Sequence, residues 1–305
     1  MPDPTELAII ATFSTALGIF VVATTFQKLR SKTSALPPEF TSEFASESPS
    51  SVPYLTEPPS ATSFGRVPIW LYQPLDLLGI GFIYLLFFGL VVSSVSTPAK
   101  EDLSLDSSAL LSAIAFQFIG AGIVTFFVIS RIRPTDWLGL KWQSWPWVFL
   151  IAPGAVAFMW AMIISLQVSG FMDWIGSFGI DTVQDTVKLL QNSSDPRLLG
   201  LMGFAAVVAA PLCEEIVFRG YLYPAAKKFS GPWIAGICSA LVFAAAHGNL
   251  AALLPLFIFG CLLVVIYEKT GSIWAPIAVH CCFNSATVIT QFIARYHHLP
   301  LETSS

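Results

Sequence analysis

Charged residues are scarce in this chain. Only 11% of its 305 residues are Asp, Glu, Lys or Arg, whereas soluble domains contain about 25%. Together with 55% hydrophobic residues and a mean hydropathy of +0.71, this shortage excludes an ordinary soluble domain and indicates a membrane protein with several spans. The net charge of −4 gives no support for nucleic-acid binding.

Cysteine is also sparse, and basic residues are missing before the first apolar run. The five cysteines lie in apolar stretches, where cysteine behaves as a small buried hydrophobe, so no disulfide framework is expected. Asp3 and Glu6 precede the first apolar run without a Lys or Arg, which argues against a secretory signal peptide. We therefore expect this run to be kept as a transmembrane helix.

Apolar runs of about 20 residues predict transmembrane helices, and eight are present in the sequence. The predicted spans are residues 7–26, 69–95, 110–132, 147–168, 198–229, 233–248, 251–267 and 273–296. The expected fold is all-α, a polytopic transmembrane helix bundle.

The polar segments between the spans predict the domain organisation. Residues 27–66 are rich in Ser, Pro, Thr and Glu and predict a disordered tether. This tether would separate a lone N-terminal transmembrane helix at 1–26 from a seven-helix membrane body at 67–305. Residues 173–196 are too polar for lipid and predict an exposed loop with a short amphipathic helix.

The distribution of Lys and Arg among the loops predicts the orientation. Most basic residues fall in inner loops if the N-terminus lies outside. The expectation is a multi-pass protein of the cell membrane, the inner membrane in a bacterium, with N-out and C-out termini.

Six polar side chains stand out in the apolar last hundred residues. They are Glu214, Glu215, Arg219, His247, His280 and Asn284. An ionisable side chain in a membrane span costs several kcal/mol unless it is partnered, and it is a functional-site hypothesis by default. The alternative is a buried charge cluster that braces two helices.

The spacing of the acidic and basic residues separates their roles. Glu215 and Arg219 are four residues apart and share a helix face, whereas Glu214 is rotated by about 100° from its neighbour. We expect Glu215 to neutralise Arg219 and to leave Glu214 free.

The histidines show a one-turn spacing of their own. His247 follows Phe243 by one turn, and Asn284 follows His280 by one turn. The second pair predicts that the Asn284 amide holds the His280 imidazole in one orientation.

A predicted hairpin brings two of these residues to one depth. Glu214 lies sixteen residues before Ser230, and His247 lies seventeen residues after it. His280 lies nine residues after the turn at Gly271 and would be about 12 Å shallower if both turns were level.

A carboxylate that faces two imidazoles admits two chemistries. Glu214 could be the general base for a water held by His247 and His280. Alternatively, Glu214, His247 and His280 could bind zinc in a site whose open position activates water. Both give peptide hydrolysis, with Arg219 or Asn284 available to stabilise the oxyanion.

Three ordered motifs carry a family resemblance. They are Glu-Glu-Ile-Val-Phe-Arg-Gly-Tyr-Leu at 214–222, Phe-Ala-Ala-Ala-His at 243–247 and His-Cys-Cys-Phe-Asn at 280–284. Over residues 198–290 the chain resembles the CPBP intramembrane endopeptidases, which include type II CAAX prenyl proteases and bacteriocin self-immunity proteins. The resemblance implies that Glu214 activates water with both histidines, and that Glu215, Arg219 and Asn284 support the site. It leaves both a metalloprotease and a metal-free glutamate enzyme open.

The expected substrate is a membrane-associated protein or peptide, cut near the surface of the lipid bilayer. Two other functions stay open. One is a non-catalytic binding or immunity scaffold, which would not need Glu214 and both histidines at once. The other is a proton-coupled transporter that uses carboxylates and histidines as a relay, although the sequence lacks the internal repeat typical of many transporters.

Overall fold

The computed structural model describes residues 4–33, 65–69, 71–96, 107–180, 193 and 195–296. These ranges contain helices and no strand, so the predicted all-α fold is confirmed. The helices are α1 (Pro4–Thr33), α2 (Asp76–Ser96), α3 (Ser107–Ile129), α4 (Pro134–Trp137), α5 (Val148–Val168), α6 (Phe171–Gly176), α7 (Pro196–Ser230), α8 (Pro232–Ala245), α9 (Leu250–Thr270) and α10 (Trp274–Tyr296).

The eight predicted spans are all helical, but they differ in length. Within the described ranges, seven helices are long and apolar enough to cross a membrane. The predicted sixth span is α8, which has 14 residues and is therefore about 21 Å long, against a hydrocarbon core of about 30 Å. The N-out and C-out orientation assumed eight crossings and stays a prediction.

The segments predicted to be polar loops are partly helical. α1 continues to Thr33, so residues 27–33 of the predicted tether belong to the helix. The rest of that tether, up to residue 64, lies outside the described residues. In the predicted loop at 173–196, the short helix α6 ends at Gly176, and residues 181–192 lie outside the described residues.

The N-terminal helix α1 is part of the bundle. Its buried side chains Ile9, Phe13 and Ala16 belong to the main hydrophobic core, and α1 packs against α2, α7 and α8. The Cys238 thiol on α8 lies 3.3 Å from the Ala16 carbonyl oxygen. The expectation of a lone helix separated from a seven-helix body is therefore wrong, because α1 has its own apolar face to bury.

The long helix α7 departs from α-helical geometry in two places. Residues Ala205–Ala209 and Glu215–Leu222 are π-helical, with backbone hydrogen bonds from residue i+5 to residue i. Each segment is followed within two residues by a proline, Pro211 or Pro224. Because proline has no N–H, a carbonyl of the preceding turn must accept a hydrogen bond from elsewhere. Such π segments occur frequently at functional sites.

The helices after α7 are joined by short turns and lie close together. Gly271 ends α9 with a φ of 69° and donates its N–H to the Tyr267 carbonyl at 2.7 Å. α8 and α9 approach so closely at Gly260 that a Cβ atom there would lie 3.0 Å from the Ala240 Cβ. This close packing brings the residues of α7, α8 and α10 to one place.

Candidate active site

Glu214 and the two histidines converge. Glu214 lies on α7 just before the second π segment, His247 follows the end of α8, and His280 lies on the second turn of α10. The Nε2 atoms of His247 and His280 are 4.0 Å and 3.9 Å from Glu214 Oε2. The shallower position expected for His280 assumed two turns at one level, and the structure does not have that arrangement.

Glu215 and Arg219 form a fully buried ion pair, as the spacing predicted. Arg219 Nη1 lies 3.0 Å from Glu215 Oε1, and both side chains are 0% exposed. Arg219 Nη2 donates to the Gly260 carbonyl at 3.3 Å. The guanidinium also lies over the Phe243 ring, 4.3 Å from its centre, where a cation is attracted to the aromatic face. Arg219 therefore joins α7 to α8 and α9.

Glu215 also holds His280. His280 Nδ1 lies 2.8 Å from the same oxygen, Oε1, that binds Arg219. An ionised carboxylate only accepts hydrogen bonds, so Nδ1 carries the proton and the Nε2 lone pair is directed towards Glu214. Such a partner fixes both the tautomer and the orientation of an imidazole.

His247 is oriented by the last turn of α8, which it follows. Its Nδ1 lies 2.8 Å from the Phe243 carbonyl oxygen, one turn earlier. A carbonyl cannot donate, so this ring also carries its proton on Nδ1 and presents Nε2 to Glu214. The Phe243 ring packs edge-on against His247, with centres 4.9 Å apart. The one-turn spacing of these two residues thus has a structural basis.

Glu214 has a different environment from Glu215. Glu214 Oε2 is buried and has no hydrogen-bond partner among the described residues. Its side chain is nevertheless 19% exposed and that of His247 is 28% exposed, whereas Glu215 is fully enclosed. Glu215 Oε2 also has no hydrogen-bond partner among the described residues, but Glu215 Oε1 is bound by Arg219 and His280 and the side chain is fully enclosed. Glu214 is therefore the carboxylate that combines an oxygen without a hydrogen bond with access to the surface.

The role predicted for Asn284 as the holder of His280 is wrong. Its Nδ2 donates to the Ala206 carbonyl oxygen at 2.7 Å, while Glu215 holds the imidazole. In the π-helical register, Ala206 would accept from the residue five positions later, which is Pro211 and has no N–H. Asn284 supplies the missing donor and thereby ties α10 to α7.

The sequence reasoning missed the aromatic enclosure of the site. The Phe259 ring packs edge-on against His280, with centres 5.2 Å apart, and is 1% exposed. Phe259 precedes Gly260, the residue that binds Arg219. No spacing rule singles out a phenylalanine on an apolar helix, so the sequence offered no signal for it.

The predicted metal set consists of Glu214, His247 and His280. Among the described residues, no group of three His, Cys, Asp or Glu side chains is arranged to hold a metal ion. Zinc ligands lie about 2.0–2.2 Å from the ion, which would require these atoms to move closer together. The zinc alternative stays a prediction.

The family comparison covers the part of the chain that contains the candidate site. Residues 196–286 match the family described as type II CAAX prenyl endopeptidase Rce1-like. This region contains Glu214, His247, His280 and Asn284. No solved structure matches the chain significantly.

Two bacterial membrane proteins are similar to the chain. YdiL of Bacillus subtilis, whose name describes a candidate membrane peptidase, is 26% identical over 196 residues, or 64% of this chain and 76% of YdiL. The membrane-embedded CAAX protease MroQ of Staphylococcus aureus is 25% identical over 210 residues, or 67% of this chain and 83% of MroQ. The match over residues 196–286 and the two relatives thus support the resemblance to the CPBP family of intramembrane proteases.

Proposed function

We propose that this chain is an intramembrane endopeptidase in which Glu214 is the general base. One observation carries the proposal: Glu214 Oε2 has no hydrogen-bond partner among the described residues, yet it lies about 4 Å from Nε2 of both His247 and His280. Glu215 is fully enclosed, and its Oε1 is bound by Arg219 and His280, so it is less accessible to a water and a substrate than Glu214.

These separations suit a shared water molecule. A water that makes hydrogen bonds of about 2.7–3.0 Å can contact two atoms that lie 4 Å apart. Its hydrogens would point to the Glu214 carboxylate and to an unprotonated Nε2 atom. The rings of Phe243 and Phe259 pack on His280 and exclude other water, which strengthens these interactions.

The proposed reaction consumes this water. Glu214 Oε2 takes one proton as the water oxygen attacks the carbonyl carbon of the scissile peptide bond. One of the two imidazoles, in the form that carries a proton on Nε2 as well as on Nδ1, donates to the oxyanion of the tetrahedral intermediate, while the other accepts from the attacking water. Glu214 then returns its proton to the amide nitrogen as the C–N bond breaks, which releases an amine and a carboxylic acid, and the acid passes its proton to the amine.

The substrate class follows from the setting of the site and from the relatives. Glu214 lies in a helix that is apolar enough to span a membrane, so the substrate must reach the bilayer. The matched family is described as CAAX prenyl endopeptidases, and MroQ is named as a CAAX protease. A membrane-associated peptide is therefore the proposed substrate, and a prenylated CAAX peptide is the first probe to use.

The test uses purified full-length protein in detergent micelles. The probe is an internally quenched peptide with a farnesylated CAAX terminus, and a second peptide lacks the farnesyl group. Wild type should cleave at least one peptide, and Glu214→Gln should lose about 10²- to 10⁴-fold in rate. Glu6→Gln, a matched change on α1, should keep wild-type activity.

The outcomes separate the competing functions. Equal cleavage by wild type and Glu214→Gln would refute the general-base proposal. If Glu214→Gln retains the biological function and no substrate is cleaved in cells, the binding scaffold is favoured. Metal content in the same samples, with rates in the presence and absence of a chelator, decides between the glutamate and zinc mechanisms.

A further inference from the structure

One backbone carbonyl near the site receives hydrogen bonds from two segments outside its own helix. The Gly220 oxygen on α7 accepts from Tyr72 Oη at 2.9 Å and from Trp137 Nε1 at 2.6 Å. Tyr72 and Trp137 are 2% and 1% exposed. Each of these two buried side chains has one strong N–H or O–H donor, and both donate to the same oxygen atom.

Pro224 on α7 removes the α-helical donor of this carbonyl. Gly220 lies in the π segment Glu215–Leu222, and the residue four positions later is Pro224. In an α-helix, Gly220 would accept from residue 224, but proline has no N–H. The two side chains therefore satisfy an acceptor at the point where the helix changes register.

Each donor is fixed to another part of the molecule. Trp137 precedes Leu138, whose carbonyl accepts from the Ile273 N–H at 2.9 Å, next to the start of α10. Tyr72 follows the segment at 66–67, which is bound to Glu268 of α9 through the Arg66 N–H at 2.9 Å. The Gly220 carbonyl thus connects α7 with loops that are anchored on α9 and α10.

Space around this carbonyl is limited. A Cβ atom on Gly220 would lie 2.9 Å from Leu138 Cδ2. A Cβ on Gly139 would lie 1.8 Å from the Gly271 carbonyl oxygen, and Gly139 has a φ of 59°. The loop after α4 is therefore seated tightly between α7 and the α9–α10 turn.

We propose that Tyr72 and Trp137 are positioning residues for the reaction. By holding Gly220, they fix the π segment that begins at Glu215, and with it the orientation of Glu214 relative to His280. Glu215, in this segment, holds the His280 imidazole. The loop after Trp137 binds the Ile273 N–H, next to the start of the helix that carries His280. This proposal rests on the proposed function, because it assigns the two residues to the same reaction.

The experiment removes one donor at a time with minimal change of shape. Tyr72→Phe deletes only the hydroxyl, and Trp137→Phe deletes the indole N–H with part of the ring. Tyr84→Phe and Trp142→Phe are the matched controls, because Tyr84 packs through its ring on Phe13 and Trp142 packs at the edge of the core. The four single variants and the Tyr72→Phe/Trp137→Phe double variant are made in the full-length chain.

Two measurements are taken on each variant. Amide hydrogen exchange of peptides that cover residues 215–225 should accelerate by roughly 5-fold or more in Tyr72→Phe and Trp137→Phe, because the segment has lost a restraint. The rate kcat per folded molecule should fall about 10-fold in either variant and up to about 100-fold in the double variant. KM should stay within about twofold of wild type. The controls should match wild type.

A purely structural role would give a different result. It would lower the amount of folded protein or its thermal stability and leave kcat per folded molecule unchanged, which would overturn the proposal. Unchanged exchange at 215–225 would overturn it as well. Failure of the proposed function is recognised separately, because it appears as wild-type activity in Glu214→Gln, a variant in which the Gly220 contacts are intact.

Discussion

α2 and α9 are similarly apolar, but the molecule uses them differently. Their most apolar windows have mean hydropathies of 2.3 and 2.7, yet 11% of the α2 window is buried inside the protein against 44% of the α9 window. α2 presents large side chains such as Leu78 and Phe82 to its surroundings. α9 is more enclosed and contacts the buried guanidinium of Arg219. Hydropathy therefore identifies a span but does not distinguish a lipid-facing helix from one that builds a site.

The enclosed region can hold charges because each charge has a partner of opposite sign or a hydrogen bond. Glu215 meets Arg219 and His280, and Arg219 also meets Gly260. Glu214 differs from Glu215, because its side chain is partly exposed and the imidazole Nε2 atoms lie 3.9 and 4.0 Å from its Oε2, beyond hydrogen-bond distance. The contrast between the two adjacent glutamates separates a structural role from a chemical one.

The largest effect on stability is expected for Arg219→Ala. This change leaves Glu215 buried without its cation, and breaking a buried pair costs about 3–5 kcal/mol. Thermal unfolding in detergent measures the loss. Arg133→Ala, at an exposed position, is the control and should change stability by less than about 0.5 kcal/mol. Equal stability of the two variants would show that Arg219 is not part of the supporting network.

Two glycine substitutions compare the regions directly. In Gly260→Ala, the new Cβ would lie 3.0 Å from the Ala240 Cβ, so overpacking should cost about 1–3 kcal/mol. In Gly81→Ala, on α2, the new Cβ meets no atom within 4 Å. Its stability should therefore stay at or slightly above the wild-type value. If both variants unfold at the wild-type temperature, α8 and α9 do not pack as closely at Gly260 as this distance requires.

For Asn284→Ala we expect a loss of stability no larger than that of Gly260→Ala. The Ala206 carbonyl would lose its donor, and an unsatisfied buried acceptor costs about 1–3 kcal/mol. Thr290→Ala is a control on the same helix, because its hydroxyl donates to the Ala286 carbonyl within α10. Thermal unfolding of Asn284→Ala at the wild-type temperature would mean that the Ala206 carbonyl does not depend on this amide.

Local rules predicted part of the site. The four-residue spacing of Glu215 and Arg219 correctly predicted their ion pair, and the hairpin between α7 and α8 correctly brought His247 to Glu214. Both inferences depend on helix geometry and on residues that are close along the chain. They needed no knowledge of how distant helices pack.

The remaining contacts depend on packing between distant segments. Glu215 and His280 are 65 residues apart in sequence, so no local pattern reveals that a carboxylate, not Asn284, holds the imidazole. The π segments also escaped prediction, although Pro211 and Pro224 on one helix were visible signals of broken backbone pairing. α1 was assigned to a separate unit because the polar stretch after it obscured its contacts with α8.

The most direct test of the account compares Glu214→Gln with Glu215→Gln in the full-length protein. Glu214→Gln should retain wild-type thermal stability and lose about 10²- to 10⁴-fold in kcat for a cleaved peptide. Glu215→Gln should lose stability, by about 3–5 kcal/mol, because Arg219 is left buried without its counter-charge. The account is contradicted if Glu214→Gln cleaves the peptide at the wild-type rate, or if the stability loss falls on Glu214 and not on Glu215.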